Sequence, residues 1–491
     1  MHVRELFSVL PEAQSLASLP DIEVPALVYD PLRVVPGAVF VAINIYTQLD
    51  KVEIPDGHER IDQAVAKGAA VVVLEKDRPV PPPATKVLVR DSRAALALLA
   101  NKFYGYPSRQ LKLIGVTGTN GKTTTTHVVE SILQQRVRVG LIGTLYYKVN
   151  GVIHHSKDTT PEPPDLHAIF RQMVTERVDY CVFEVSSHGI DFHRVDGCQF
   201  DVAVFTNLTQ DHLDYHGTLE NYRRTKMRLF EWLAPDKHAV VNRDDPSADY
   251  FIGATKAKVL TYGVASPADF VAEDIRLSVR GTEYTLRTGA GVVPVRMRLL
   301  GMFNVYNALA AAAAAYSQGF DLDAIRQGLE APIRVAGRFE LVERGQNFTV
   351  VVDYAHTPDG MKNVLALARS LNPRRVLTLF GCGGDRDKEK RPIMGKIAGE
   401  LSDLVIVTAD NPRNEDPARI AAEIVAGIGQ RPHQVILDRR EAIAFALRQA
   451  GAGDIVLLLG KGHESTQTLR DRTIPFNDAQ VAAELLDEMA V

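Results

Sequence analysis

Leu113-Ile114-Gly115-Val116-Thr117-Gly118-Thr119-Asn120-Gly121-Lys122-Thr123-Thr124 is the stretch on which the fold reading turns. An apolar, β-branched strand runs into a glycine-bearing turn, and the turn opens a helix at Thr123. Glycine lets backbone N–H groups converge on a phosphate, and a helix N-terminus favours an anion. Lys122 would neutralise the outer phosphates and the Thr123 hydroxyl would hold Mg²⁺. The usual spacing places a glycine at 116, where Val116 stands, with Gly118 following later, so the loop is a variant. A glycine-rich turn with a solvated lysine is the bland alternative. Six consecutive motif residues in strand–turn–helix context weigh against it.

Working outward, short apolar runs recur on both sides of this loop. Val39–Ala42, Ala70–Leu74 and Val87–Val89 form a first set of strands. Leu113–Val116, Val139–Ile142, Tyr180–Val185, Val202–Phe205 and Ala239–Val241 form a second, and Val350–Val352, Arg375–Phe380, Leu404–Val407, Gln434–Leu437 and Asp454–Leu459 a third. Strands alternating with helical stretches predict an α/β protein with mainly parallel sheets. The polar stretch Gly105–Ser108 and the segment Ala331–Arg338 divide the chain into units of 1–107, 108–337 and 338–491. The 491 residues suit several domains of ~100–200 residues each.

The composition is that of an ordinary globular protein, with 46% hydrophobic and 24% charged residues. A net charge of −4 argues against a dedicated nucleic-acid binder. The apolar run Ala308–Tyr316 is too short to span a bilayer, and no signal-peptide core is visible near Glu5. Three cysteines without CxxC spacing predict neither a disulfide framework nor a cysteine zinc site. A cytoplasmic location is expected.

Several strand ends carry chemistry. Glu184 closes one strand ahead of Ser186-Ser187-His188, and His212 follows another in Asp211-His212-Leu213-Asp214. In parallel sheets, ligands bind at the carboxyl ends of strands. A carboxylate and an imidazole there could both reach a divalent ion beside the phosphate loop. Taken singly, a strand-end salt bridge and a helix cap explain them equally well. Zinc held through His212 and His216 lacks an evident third ligand. In the last unit, Gly381–Lys388, Thr408–Arg413 and Gly460–Glu464 follow three strands. Arg386, Arg413 and Glu464 there offer guanidinium forks for carboxylates and an acid for an ammonium, the complement of an amino acid.

Over nearly its full length the sequence resembles the Mur ligases. The resemblance rests on Gly118–Thr124, Glu184–His188, Asp211–Gly217, Gly301–Asn307, Asp353–Pro358, Gly381–Arg391, Asp410–Arg413 and Gly460–Glu464. It implies three domains: a UDP-sugar-binding unit, a central ATPase with a P-loop-type sheet, and a C-terminal Rossmann-like domain for the incoming amino acid. The implied reaction is ATP-dependent amide formation in peptidoglycan precursor synthesis, and hence a part in cell-wall biogenesis, cell shape and cell division. ATP phosphorylates the D-glutamate γ-carboxylate of UDP-MurNAc-L-Ala-D-Glu, and an amine of the added amino acid displaces phosphate.

Carried over residue by residue, Gly118, Thr119, Asn120, Gly121, Lys122, Thr123 and Thr124 resemble the nucleotide loop, and Asn304, Asn307, Arg338 and Asp353 further ATP-site positions. Thr123, Glu184, His212 and Lys226 resemble metal-site positions, with Lys226 matching a carbamylated lysine. On sequence alone Lys226 reads as an ordinary exposed helix lysine. Lys122, Lys226, Glu184 and His212 are the implied catalytic set. Asp158, Thr159, Thr160, Ser186 and Arg194 match dipeptide-contacting positions. Arg386, Asp410, Asn411, Pro412, Arg413, Gly460 and Glu464 match the amino-acid pocket. Asp410-Asn411-Pro412-Arg413 favours meso-2,6-diaminopimelate over L-lysine or L-ornithine, which lack the second carboxylate. The implied cofactors are ATP and Mg²⁺, and the implied partners are the nucleotide-linked dipeptide and a diamino acid, with the protein a monomer.

Four features depart from the family pattern. Asp30-Pro31-Leu32 stands for the usual Asp-Ser-Arg, the loop from Asn44 to Gly57 is long, Phe192 stands where glutamine is common, and Asp158 replaces an asparagine.

Overall fold

The computed structural model describes residues 1–11, 19–44, 56–278 and 281–489. Most of the long loop expected between Asn44 and Gly57, residues 45–55, lies outside the described residues. The first sheet is parallel, in the order β1 (Leu27–Val28), β2 (Val39–Val41), β3 (Val71–Leu74) and β4 (Thr85–Leu88). β2 and β3 are buried on both faces, which is why they read as unbroken apolar runs.

The second sheet holds eleven strands: β5 (Lys112–Thr117), β6 (Val139–Ile142), β7 (Tyr147–Val149), β8 (Val152–His154), β9 (Tyr180–Glu184), β10 (Val202–Phe205), β11 (His238–Asn242), β12 (Lys258–Gly263), β13 (Phe270–Ser278), β14 (Gly281–Thr288) and β15 (Gly291–Met297). Its order is β15-β14-β13-β12-β11-β10-β5-β9-β6-β7-β8. β5 runs parallel to β10 on one side and β9 on the other. The register sets Val116 opposite Glu184 and Thr117 opposite Phe205. The loop after β5, the Glu184 carboxylate and the segment after Phe205 are thereby delivered to one edge. Two apolar clusters cover the two faces of this sheet. One is built on the helix Met302–Ser317, whose alanines 310 to 315 are all fully buried. The longest apolar run is thus a core helix. No helix among the described residues is long and apolar enough to cross a membrane.

The antiparallel ribbons β13 to β15 are absent from the sequence reading. Their residues alternate inward and outward, as in Thr282, Tyr284 and Leu286 against Glu283, Thr285 and Arg287. A search for continuous apolar runs passes over such strands.

The third sheet runs in the order β16 (Glu340–Leu341), β17 (Thr349–Asp353), β21 (Ile455–Leu459), β18 (Val376–Phe380), β19 (Leu404–Val407) and β20 (His433–Val435). From β17 to β20 all pairings are parallel. Asp353 and the loops after Phe380, Val407 and Leu459 therefore gather at one edge. A small ribbon, β22 (Thr466–Thr468) with β23 (Thr473–Pro475), follows.

Candidate functional site

The loop-bearing edges of the second and third sheets face a common cleft of about 590 Å³. Gly118 bends the phosphate loop at φ +146°, and a Cβ there would collide with the Thr206 hydroxyl. Gly121, at φ +86°, abuts the Asn307 carboxamide. The turn that the usual pattern makes at 116 is therefore made at Gly118, while Val116 stays within β5 as a buried core residue. The loop is pinned from the β10 end: Asn120 N–H donates to Asn207 Oδ1 at 2.9 Å, Thr206 Oγ1 donates to the Asn120 carbonyl at 2.6 Å, and Thr119 N–H donates to the Asn207 carbonyl at 2.9 Å. Lys122 Nζ curls onto the carbonyls of Gly118 and Thr119 at 3.0 and 2.9 Å. Enclosure by protein lowers its pKa, against the pull of Glu184 and Asp211.

Thr123 Oγ1 lies 3.0 and 2.9 Å from the two carboxylate oxygens of Glu184. Thr144 adds its N–H at 2.9 Å and its hydroxyl at 3.2 Å. Glu184 is buried, yet among the described residues none of its hydrogen-bond donors is a cation. A buried carboxylate with only neutral donors, touching a threonine hydroxyl, is a hard-oxygen set that fits Mg²⁺.

His212 lines the same cleft, held in the left-handed region at φ +52°, with its ring edge-on to His188 at 4.9 Å. Desolvation lowers its pKa, with Asp211 opposing. Asp211 is pushed up by burial, but His212, His356, Lys390 and Lys122 outweigh this and bring it to about 2. His216 turns to Ser187 Oγ at 3.0 Å. No three His, Cys, Asp or Glu side chains converge as a ready metal site among the described residues.

Lys226 is fully buried, contrary to the exposed helix lysine that its sequence context alone suggested. It sits 4.4 Å from the Tyr222 ring centroid and donates to the Gly118 carbonyl at 2.9 Å. Burial, reinforced by Lys122, lowers its pKa well below the ordinary lysine value.

Thr159 and Ser186 line the cleft, whereas Asp158, Thr160 and Arg194 stand behind its wall. Thr160 Oγ1 donates to the Glu184 carbonyl at 2.8 Å and accepts from Ser186 N–H at 3.0 Å. Arg194 donates to the Thr160 carbonyl at 2.8 Å and pairs with Glu162 at 2.8 Å and Asp158 at 3.4 Å. Burial raises Asp158, with Arg194 opposing. Gly118, Asn304 and Pro412 likewise do not line the cleft. Asn304 accepts from Asn307 Nδ2 at 3.0 Å and so aims the amide that abuts Gly121.

Arg338 lies over the Tyr354 ring at 4.8 Å. Asp353 accepts the N–H groups of Phe339 and Ala355, each at 2.7 Å, while burial raises its pKa against the pull of Arg338. Asn120 Nδ2 donates to Asp359 Oδ2 at 3.0 Å, joining the phosphate loop to the helix Pro358–Ser370.

Arg386, Asp410, Asn411, Arg413, Gly460 and Glu464 all line the cleft. Arg413, at φ +51°, donates only to the carbonyls of Gly384 (2.9 Å) and Asn411 (3.4 Å), and no carboxylate pairs with it among the described residues. Glu415 is engaged elsewhere, by buried Arg391 at 3.0 and 3.1 Å. Glu464 receives Asn411 Nδ2 at 2.8 Å and Lys461 Nζ at 2.9 Å. Burial and then Asp410 raise Glu464, and Lys461 offsets part of this. Lys461 is outside the residues that the sequence pattern singles out, although its spacing of three from Glu464 within Gly460–Glu464 offers a signal for this contact. Thr144 and Glu162 carried none.

The model of the Mur ligase middle domain matches residues 116–315, and that of the Mur ligase glutamate ligase domain matches 337–462. The chain is 44% identical to UDP-N-acetylmuramoyl-L-alanyl-D-glutamate–2,6-diaminopimelate ligase of Bacillus licheniformis, covering 100% of each chain. It is 47% identical to the protein of that name from Geobacillus kaustophilus, over 96% of each. This chain belongs to the Mur ligase family. Among solved structures, this Mur ligase is similar to a UDP-N-acetylmuramoyl-L-alanyl-D-glutamate–2,6-diaminopimelate ligase at 34% identity and a TM-score of 0.68, covering 100% of this chain and 99% of the other. It shares its fold with a Mycobacterium tuberculosis folylpolyglutamate synthase at 20% identity and a TM-score of 0.63, covering 80% of this chain and 94% of the other.

Proposed function

We propose that this Mur ligase joins meso-2,6-diaminopimelate to the D-glutamate γ-carboxylate of UDP-MurNAc-L-Ala-D-Glu at the expense of ATP. One observation carries the choice of amino acid: in the same cleft as the phosphate loop, the Arg413 guanidinium has no carboxylate partner among the described residues, while Glu464 nearby is an acceptor. A substrate with a carboxylate and an ammonium at its distal end satisfies both. Lysine or ornithine would leave the guanidinium bonded to carbonyls alone, forgoing a charge-assisted pair.

The units 1–107, 108–337 and 338–491 are assigned to the UDP-sugar, to ATP and to the amino acid. With the Thr119 and Asn120 N–H groups spent on pinning the loop to Asn207, the backbone N–H groups of Gly121–Thr123 at the start of the helix Lys122–Leu133 cradle the nucleotide phosphates. Lys122 leaves the loop carbonyls to follow the transferring phosphoryl group. Asn307, Arg338 and Asp353 bound the nucleotide side of the cleft. Thr123, Glu184 and His212, with Lys226 as its carbamate, would hold Mg²⁺, which neutralises charge on the phosphates. Lys226 is enclosed within reach of the loop, and carbamylation would turn this buried amine into an anionic oxygen donor.

Phosphorylation of the γ-carboxylate replaces a poor leaving oxygen by phosphate. The incoming amine then adds to the acyl carbon, and the tetrahedral intermediate expels phosphate as the amide forms. The chain contributes positioning and charge neutralisation. Consumption of ATP and of a nucleotide-linked precursor assigns the reaction to the cytoplasm. The test is phosphate release from ATP in the presence of Mg²⁺, the nucleotide-linked dipeptide and meso-diaminopimelate. Release should require all of them. Release without the dipeptide, or none with the full set, overturns the reading.

A further inference from the structure

From the geometry behind the cleft wall we infer that Glu162 and Arg93 are positioning residues, which hang the dipeptide-receiving wall from the first unit of the protein. The inference rests on the ligase reading above and deepens it.

Glu162 is almost fully buried at the start of the helix Pro163–Thr175. Its carboxylate lies between two guanidiniums from different parts of the chain. Arg194 Nη2 approaches at 2.8 Å from the second unit, and Arg93 Nη1 reaches both oxygens at 3.3 Å from the helix Ser92–Phe103 of the first. Phe192 adds an aromatic platform, with Arg93 4.5 Å and Arg194 5.9 Å from its ring centroid. A second anchor from the first unit meets the same helix: Asp165 accepts Tyr29 Oη at 2.5 Å and Arg33 Nη1 at 2.7 Å. Asp30 caps the turn that presents Arg33, through Leu32 N–H at 2.9 Å.

The two anchors differ in what lies beyond them. Asp165 is a docking contact. Glu162 continues inward: it orients Arg194, Arg194 bonds the Thr160 carbonyl, and Thr160 fixes both Ser186 N–H and the Glu184 carbonyl. Seating of the unit assigned to the UDP-sugar is thereby relayed to the wall assigned to the peptide. A buried carboxylate between two cations is costly to neutralise, because Arg93 and Arg194 lose this carboxylate at once and Arg194 is left with Asp158 at 3.4 Å.

The experiment compares Glu162→Gln, Arg93→Met and Arg93→Lys with the unmutated enzyme. It reads KM for UDP-MurNAc-L-Ala-D-Glu, KM for ATP, and the inhibition constant of UDP-MurNAc, which lacks the peptide. Glu162→Gln and Arg93→Met should raise the dipeptide KM by about tenfold, the scale of one lost charged hydrogen bond. The inhibition constant of UDP-MurNAc and the KM for ATP should stay within about twofold, a difference too small to reflect loss of such a bond. Arg93→Lys should recover part of the loss and serves if Glu162→Gln does not fold. A dipeptide KM that does not move, or that moves together with the UDP-MurNAc constant, overturns the inference and leaves Glu162 a docking residue. Failure of the unmutated enzyme to turn over the dipeptide would instead count against the ligase reading.

Discussion

The ammonium of Lys461 is fully enclosed and bonds the carboxylate of Glu464 across 2.9 Å. It also reaches Asn411 Oδ1 at 3.3 Å, so one cation holds two groups assigned to the amino-acid pocket. Asp410 crowds Glu464 and burial raises it, and Lys461 counters both. Lys461→Met should lower kcat/KM for diaminopimelate by about tenfold or more. The sign of its pH dependence follows: without Lys461 the Glu464 proton is held more tightly, so the acceptor is lost as pH falls. The KM defect should deepen as pH falls. A pH-independent defect would mean that Lys461 acts by packing alone.

The Thr123–Glu184 contact makes the metal reading testable apart from the nucleotide reading. Lys122→Ala should nearly abolish ligation at any Mg²⁺ concentration, through loss of the cation facing the transferring phosphoryl group. Glu184→Gln should instead shift the Mg²⁺ titration to higher concentration. An unchanged Mg²⁺ midpoint in Glu184→Gln would remove this carboxylate from the metal site.

Much of this site is legible in the sequence. Residues 113–124 give strand, turn and helix in order, because a parallel strand buried on both faces reads as a short apolar, β-branched run, and the glycines that follow mark where it turns. The strand ends carrying Glu184, Asp410–Arg413 and Gly460–Glu464 were legible for the same reason. Lys226 was not: a lysine in Tyr222-Arg223-Arg224-Thr225-Lys226 looks solvated until the helix is rotated against the sheet. Neither were Thr144 and Glu162, which act through register and packing and have no local pattern. The ribbons β13 to β15 alternate in polarity and carry no continuous apolar run to mark them as strands.

Lys226 is expected to be carbamylated. Its enclosure favours the neutral amine, the form that takes up carbon dioxide. Lys226→Ala should be inactive and partly rescued by acetate, which supplies the missing oxygen donor. The carbamate carbon should be seen by NMR after equilibration with ¹³C-bicarbonate. A protein that is active yet shows no such signal would refute the modification.

Glu415 links acid stability to the pocket. Arg391 above all, with the Asp385 N–H at 2.6 Å, holds its pKa at about 2 against an ordinary 4.5. A carboxyl group depressed in the folded state contributes fully above its ordinary value, and that contribution fades as pH falls from 4.5 towards 2. Urea midpoints should therefore drop across this window. Glu415→Gln should lose roughly 1–3 kcal/mol at neutral pH and show a flatter acid limb. A mutant with an unchanged acid limb would show that other carboxylates control it.

The most direct measurement is kcat/KM for meso-diaminopimelate, L-lysine and L-ornithine in the unmutated enzyme and in Arg413→Ala. Diaminopimelate should be preferred, and Arg413→Ala should lose at least about tenfold of its turnover while lysine and ornithine change little, since one charged hydrogen bond is worth ~1.5–3 kcal/mol. A preference for lysine or ornithine in the unmutated enzyme, or equal losses for all three amino acids in Arg413→Ala, would contradict the account.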